Sequence, residues 1–298
     1  MIVSDFLNSA KRSGLVDTLV SVRVETEQTD LLGRASYEQD LNKLLDEIAT
    51  LTSSRIPLYK RWSDEIDGKD RNIGVPKQAL SRLLKGYVLP LVNSRKPHGA
   101  CHGGEKGWSP RSSLETHLPC SRALSFDLKS AFELFSPEEV YGFFKDFFED
   151  SAYEEETARF LTLISTVSYE HGRGLPVGSP LAMALFNRAL FSLDETLSVG
   201  AEGRGMRYSR WVDDMTISSP DERPVGDFLG AVELTDRYQL VAGNKIFFQT
   251  NPDDVYLLGH VISPGGKIRK NSQEERIENK VAPLSPEFLS EGKYKSWT

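Results

Sequence analysis

Cysteine is scarce. The 298 residues carry two, Cys101 and Cys120, too few for a disulfide framework and in keeping with a reducing compartment. Long apolar runs are missing as well, because charge interrupts every hydrophobic stretch within a few residues, so no segment is expected to span a bilayer. The opening MIVSDFLNSAKRSG has neither the basic start and apolar centre nor the small-residue cleavage site of a secretory signal. A cytoplasmic location without a membrane partner is the expectation. Net positive charge is also lacking: 36 Lys and Arg against 43 Asp and Glu leave −7. That excludes a protein that coats nucleic acid through phosphate contacts alone, although a local basic groove would still bind it.

With 39% hydrophobic and 27% charged residues, the chain has the composition to bury a sizeable core, as one large domain or two ordinary ones. Leu41, Leu44, Leu45, Ile48 and Leu51 stand at helical spacing and predict a helical start over the first sixty residues. Gly68 to Arg71 reads as a polar turn, Ile73 and Val75 as a short apolar piece, and Pro76 to Val92 as a helix. Residues 94–113, rich in Gly, Ser, Pro, His and Lys, read as a loop, and Ala123 to Asp127 as a strand. Helices are predicted over 137–150, 154–170, 180–198 and 224–238, with a strand at 245–250 and a hairpin at 255–263.

His98 and Cys101, then His117 and Cys120, repeat a three-residue step with His102 nearby. Such spacing occurs in small zinc loops; a buried cysteine and a surface histidine are the commoner outcome.

The strongest chemical signal is Asp213-Asp214, flanked on both sides by strand-forming residues from Met206 to Ser218. Two adjacent carboxylates at a hairpin tip repel each other, and acidic residues are poor strand formers. A third carboxylate at a strand end, Asp127, lies 86 positions earlier. Three converging carboxylates offer the hard oxygen ligands that suit Mg²⁺. A lone Asp-Asp would more often be a solvated turn.

The run Tyr208-Ser209-Arg210-Trp211-Val212-Asp213-Asp214-Met215-Thr216-Ile217-Ser218 resembles the catalytic hairpin of reverse transcriptases, in the form found in bacterial retron, group II intron and defence-associated members. Five further stretches resemble that family in the family's order, over roughly residues 68 to 262. Asp127-Leu128-Lys129-Ser130-Ala131-Phe132 resembles the first metal-binding motif, which implies Asp127, the Leu128 carbonyl, Asp213 and Asp214 as ligands of two Mg²⁺ ions, with Mn²⁺ as a substitute. It also implies Phe132 as the steric gate that selects deoxynucleotides. Gly174-Leu175-Pro176-Val177-Gly178-Ser179-Pro180, with Asn187 beyond it, resembles the loop that lies against nucleotide and template. Val177 stands where many relatives have Gln, and Ala182-Met183 replaces the usual Ser-Pro. The Val form is similar to the abortive-infection branch, some of whose members make DNA without a template. Lys69 and Arg71 resemble the fingers residues that hold the triphosphate, Lys245 the lysine near the leaving pyrophosphate, and Leu258-Gly259 the primer grip.

The resemblance implies an α+β fold, a right-hand polymerase palm and fingers with a small antiparallel palm sheet. Its expected divisions are an N-terminal helical extension (1–60), fingers (61–120), a palm (121–262, with 137–171 packing on the fingers) and a tail or residual thumb (263–298). Only 38 residues follow His260, short for a helical thumb, so a protein partner or a second copy is expected to replace it. The implied partners are dNTPs and RNA or DNA, including a structured non-coding RNA. Two other readings stay open: a non-catalytic subunit of this family that binds RNA or a sister polymerase, and a different palm enzyme such as a nucleotide cyclase or an RNA polymerase.

Overall fold

The computed structural model describes residues 11–66, 69–128, 130–148, 154–170, 172–222, 225, 242–250, 254–263 and 266–270. Helix α1 (Lys11–Glu27) leads into α2 (Leu31–Ser53), which Asp30 caps by accepting from the Gly33 amide at 2.9 Å. Leu41, Leu44, Leu45 and Ile48 are buried along one face of α2, as their spacing requires. β1 (Tyr59–Ile66) and β2 (Lys69–Pro76) then pair as an antiparallel hairpin. The sequence suggested a helical stretch and a polar turn here. Residues 60–65 are all exposed, so the strand carries no apolar alternation by which to be read.

Next comes α3 (Gln78–Leu83), which widens into a π-helical turn (Leu84–Val88) before α4 (Leu89–Ser94). Pro90 supplies the reason: it has no amide to donate to the Gly86 carbonyl, and its ring would meet that carbonyl in a regular helix. Inside the stretch read as a loop, a reciprocal Ser109–Ser112 capping box starts α5 (Pro110–Glu115). There follow β3 (Arg122–Leu128), α6 (Pro137–Lys145), α7 (Glu154–Ser165), β4 (Val167–Tyr169), β5 (Gly172–Gly174), α8 (Ala182–Ala189) and α9 (Phe191–Glu202). The single helix predicted over 180–198 is thus two, parted at Leu190, and no glycine or proline marks the break. β6 (Arg207–Trp211), β7 (Asp214–Ser219), β8 (Ala242–Thr250), β9 (Val255–Leu257), β10 (His260–Ser263) and β11 (Lys267–Lys270) complete the elements. Apart from Val225, the helix predicted at 224–238 lies outside the described residues, as does the tail beyond 270.

The chain divides into two compact units. The first, Met1–Lys96 with Phe132–Ala189, is mainly helical and includes the β1–β2 and β4–β5 pairs. The second, Pro97–Ala131 with Leu190–Thr298, contains a four-stranded antiparallel sheet in the order β6-β7-β3-β8 and a three-stranded sheet in the order β11-β10-β9. β3 is central and buries Ala123, Leu124, Phe126 and Leu128. Its pairing with β8 shifts register between Phe126 and Leu128. Leu114, Cys120, Ala123, Val255, Leu257, Ile262 and Ile268 form one apolar cluster that ties α5 and β3 to the small sheet. Helices with small antiparallel sheets make this an α+β fold. No helix among the described residues is long and apolar enough to cross a membrane.

Candidate catalytic site

Asp127 and Asp214 are direct partners across β3 and β7. The Leu128 amide donates to the Asp213 carbonyl at 3.0 Å, which makes Asp127–Asp214 a non-hydrogen-bonded pair, the kind whose Cα atoms lie closest, roughly 4.5 Å apart. Directly opposed residues share a face of the sheet, and like charges so placed destabilise it. Asp213 sits in the two-residue loop between Trp211 and Asp214, themselves paired. The other loop residue, Val212, has φ 60°, at a place where short hairpins favour glycine. All three aspartates are half-buried.

Behind this turn lies a buried ion pair that the sequence reading did not single out. Arg210 and Asp194 both have fully buried side chains. Arg210 Nε donates to Asp194 Oδ1 at 2.8 Å and Nη2 to Oδ2 at 2.7 Å. The Tyr208 hydroxyl adds a bond to Oδ1 at 2.7 Å, and burial, with the Asp194 charge, holds that phenol well above its ordinary pKa. Asp194 stands in line with Leu190, Leu193, Leu197 and Ala201 on the buried face of α9. A carboxylate on an apolar helical stripe was the signal that could have revealed it. Edge strand β6 is covered in turn by residues 100–103: Cys101 bridges to Arg210 in parallel fashion, the Arg210 amide donates to Ala100 O at 2.8 Å, and the His102 amide donates to Arg210 O at 2.9 Å.

In the first unit, several residues proposed to hold the nucleotide come together. The Leu175 amide donates to Phe132 O at 2.7 Å, and the Gly74 amide on β2 donates to Val177 O at 2.7 Å. Phe132 stacks on Phe186, with ring centroids 4.9 Å apart. Gly174 allows the loop this approach, because a Cβ there would lie 2.1 Å from Glu133 O. Pro176 meets β2 so closely that a Cβ at Gly74 would lie 2.9 Å from Pro176 Cβ, and Gly178 adopts φ 101°. Arg71 is exposed on the same strand, β2, which begins at Lys69. Asn187 is fully buried.

Leu258 and Gly259, in the second unit, form the turn between β9 and β10, with φ 49° and 71°. Lys245 lies on β8.

The histidines and cysteines are occupied otherwise than in a zinc loop. Both ring nitrogens of His117 bond hydroxyls, Ser218 at 2.7 Å and Ser209 at 2.8 Å, and burial pushes its pKa down to about 3. His102 bonds Ser113 at 2.8 Å and stacks on Trp108, and burial lowers its pKa to about 4. His98 Nε2 pairs with Glu195 at 2.9 Å, while the buried Cys120 thiol is raised to about 11. Among the described residues no three His, Cys, Asp or Glu side chains, the three aspartates included, are gathered as a metal-binding cluster; the strand register brings together Asp127 and Asp214, with Asp213 next in sequence.

No family model matches the sequence. The chain is similar to the retron Mx162 reverse transcriptase of Myxococcus xanthus, 30% identical over 176 residues that cover 54% of this chain and 35% of that protein. It is also similar to the retron Ec86 reverse transcriptase of Escherichia coli, 27% identical over 181 residues, 58% of this chain and 54% of that one. The chain therefore spans between about a third and about half of the length of these relatives. Among solved structures, telomerase from Candida albicans with a fragment of telomeric RNA superposes with a TM-score of 0.53 at 13% identity, over 72% of this chain and 45% of that one. Telomerase from Candida tropicalis, truncated from its C-terminal domain, gives 0.51 at 15%, over 72% and 55%. By sequence the chain is similar to retron reverse transcriptases of prokaryotes, and its fold is similar to that of the telomerase structures.

Proposed function

We propose that the chain is a nucleotidyltransferase, a DNA polymerase of the reverse-transcriptase type that adds dNTPs to a 3′-OH or another hydroxyl. The observation that carries this reading is the Asp127–Asp214 register beside Asp213. Opposed carboxylates at the end of a paired strand are a poor choice for stability and a good one for holding cations. Their oxygen donors fit Mg²⁺, with Mn²⁺ as a substitute, and the Leu128 carbonyl would complete the set. Two such ions, when bound, neutralise the triphosphate and activate the attacking hydroxyl.

The chain's own residues would orient and select. Lys69 and Arg71 would take the triphosphate oxygens, for which the planar guanidinium is suited. Phe132, backed by Phe186, would exclude a ribose 2′-hydroxyl. Pro176, Val177 and Gly178 would present backbone to the nucleotide, Lys245 would neutralise the leaving pyrophosphate, and Leu258-Gly259 would hold the primer end. In this reading residues 61–120, with the β1–β2 hairpin, are the fingers, and residues 121–262, with the four-stranded sheet, the palm. The retron relatives support an RNA partner, a structured non-coding RNA included. The valine at 177 supports a place among defence-associated enzymes; the prokaryotic cytoplasm would be their setting, and a protein partner or second copy would supply the remaining grip on nucleic acid.

The test is incubation of the purified chain with labelled dNTPs or NTPs, Mg²⁺, and either template or none. The expected outcome is incorporation of dNTPs that Asp213→Ala with Asp214→Ala abolishes while the melting temperature holds. Incorporation that survives this change refutes the site, and RNA binding without any incorporation favours a non-catalytic subunit.

A further inference from the structure

We propose that Arg210, locked by Asp194, is the positioning residue for the Asp213-Asp214 turn, and that Gly103 forms the second jaw of the same clamp. The inference rests on the catalytic reading above and names the device that aims its carboxylates.

Val212 is the starting point. A β-branched residue at φ 60° is a steric outlier, and such a conformation persists only where its surroundings impose it. Two contacts do so. Arg210 Nη1 donates to Val212 O at 2.8 Å, fixing the peptide that leads into Asp213. Backbone at residue 103 fills the other approach: a Cβ there would stand 2.3 Å from Val212 N and 2.7 Å from Trp211 C. Only glycine fits beside the turn.

The guanidinium is itself immobile. Two of its nitrogens bind both Asp194 oxygens, its main chain is bonded to Ala100 and His102, and Asp194 rides on the regular helix α9. A linked path therefore runs from helix to carboxylate, to guanidinium, to the Val212 carbonyl, to the catalytic pair. Stability alone is a weak reason for such a pair, since apolar side chains of similar volume commonly stabilise a core as well or better. Apolar groups cannot hold a carbonyl in place. A rigid planar fork that grips a carboxylate and still has a donor for the turn can; lysine has three donors but on one nitrogen, without the spread that lets Nε and Nη2 take both Asp194 oxygens while Nη1 takes the Val212 carbonyl.

The experiment uses the full chain with Arg210→Lys and Gly103→Ala. Mn²⁺ binding to the protein alone is followed by loss of the free-ion spin-resonance signal. Single-nucleotide incorporation is followed against Mg²⁺ and dNTP concentration, and melting temperature is recorded throughout. Both variants are expected to weaken Mn²⁺ binding about tenfold and to lower kcat about a hundredfold, the scale of an ångström of misplacement, with KM for dNTP changed less than about twofold. Gly103→Ala leaves the buried pair untouched, so it carries the test if Arg210→Lys fails to fold. Folded variants that bind Mn²⁺ and turn over like the parent overturn the clamp. A parent chain that neither binds Mn²⁺ nor incorporates nucleotide overturns the catalytic reading, and the clamp with it.

Discussion

The hairpin of β1 and β2 leaves residues 60–65 exposed along its first strand, whereas β7 buries every residue from Met215 to Ser219. The exposed hairpin presents long side chains, Lys60, Arg61, Trp62 and Arg71, to solvent on a ladder that any polar sequence could form. In the buried one, side chains below the sheet and at the strand edge fix where two short carboxylates stand. In the proposed reading, exposed cations would meet the triphosphate from solvent, whereas paired carboxylates would have to be set in place beforehand. The difference shows that in this molecule precision is bought with buried polar groups.

The comparison can be broken most forcefully at Asp194. Asp194→Ala strands the Arg210 charge in the core and is expected to cost about 3–5 kcal/mol in chemical denaturation; a loss under about 1 kcal/mol would mean that water reaches the pair. Acid offers the next largest effect. His117 has a folded pKa of about 3, far below its ordinary 6.5, so between these values the unfolded chain binds the extra proton. The His117 contribution to stability is therefore complete above pH 6.5 and falls as pH is lowered, by about 3 kcal/mol between pH 7.5 and 4.5. Denaturation midpoints of His117→Gln at the two pH values are expected to lack that difference.

A smaller change of opposite sign is expected at the proposed catalytic pair. In the absence of divalent ions, Asp214→Asn relieves like-charge opposition to Asp127 and should raise stability by about 0.2–1 kcal/mol. In the proposed reading Mg²⁺ is expected to raise the melting temperature of the parent, and the same variant is expected to lose that rise. Smallest of all is Trp62→Ala on the exposed hairpin, where the side chain is 42% exposed and the expected change is within about 0.5 kcal/mol. A larger loss there would show that the open hairpin too depends on specific packing.

What could be read from the sequence follows the same division. β3, β6 and β7 were legible because apolar, aromatic and, in β7, β-branched residues stand close together along them, and because two adjacent aspartates in such a setting demand a reason. The Leu258-Gly259 turn announced itself through glycine. β1 and most of β2 were not legible, since strands exposed on both faces carry no periodicity. The break at Leu190 has no local mark. Asp194 escaped notice because a lone acidic residue on a helix is ordinarily solvated; only its alignment with Leu193 and Leu197 shows otherwise. The positive φ of Val212 was hidden as well, being imposed by Arg210 and Gly103 rather than by valine itself. Tertiary contacts decided these features, and apart from the apolar stripe around Asp194 single-sequence patterns do not carry them.

One detail of β3 governs how the chain can vary. Passing from Phe126 to Leu128, its neighbour β8 advances from Ile246 to Ala242, while β7 keeps step residue by residue. The central strand thus reads two rulers of different graduation, and a single alignment satisfies both. Adding or deleting one residue within 122–128 would turn Phe126 to the outer side and Asp127 away from its partner. Changes of length must then be absorbed in the connecting loops, leaving this strand fixed in length however far its side chains diverge.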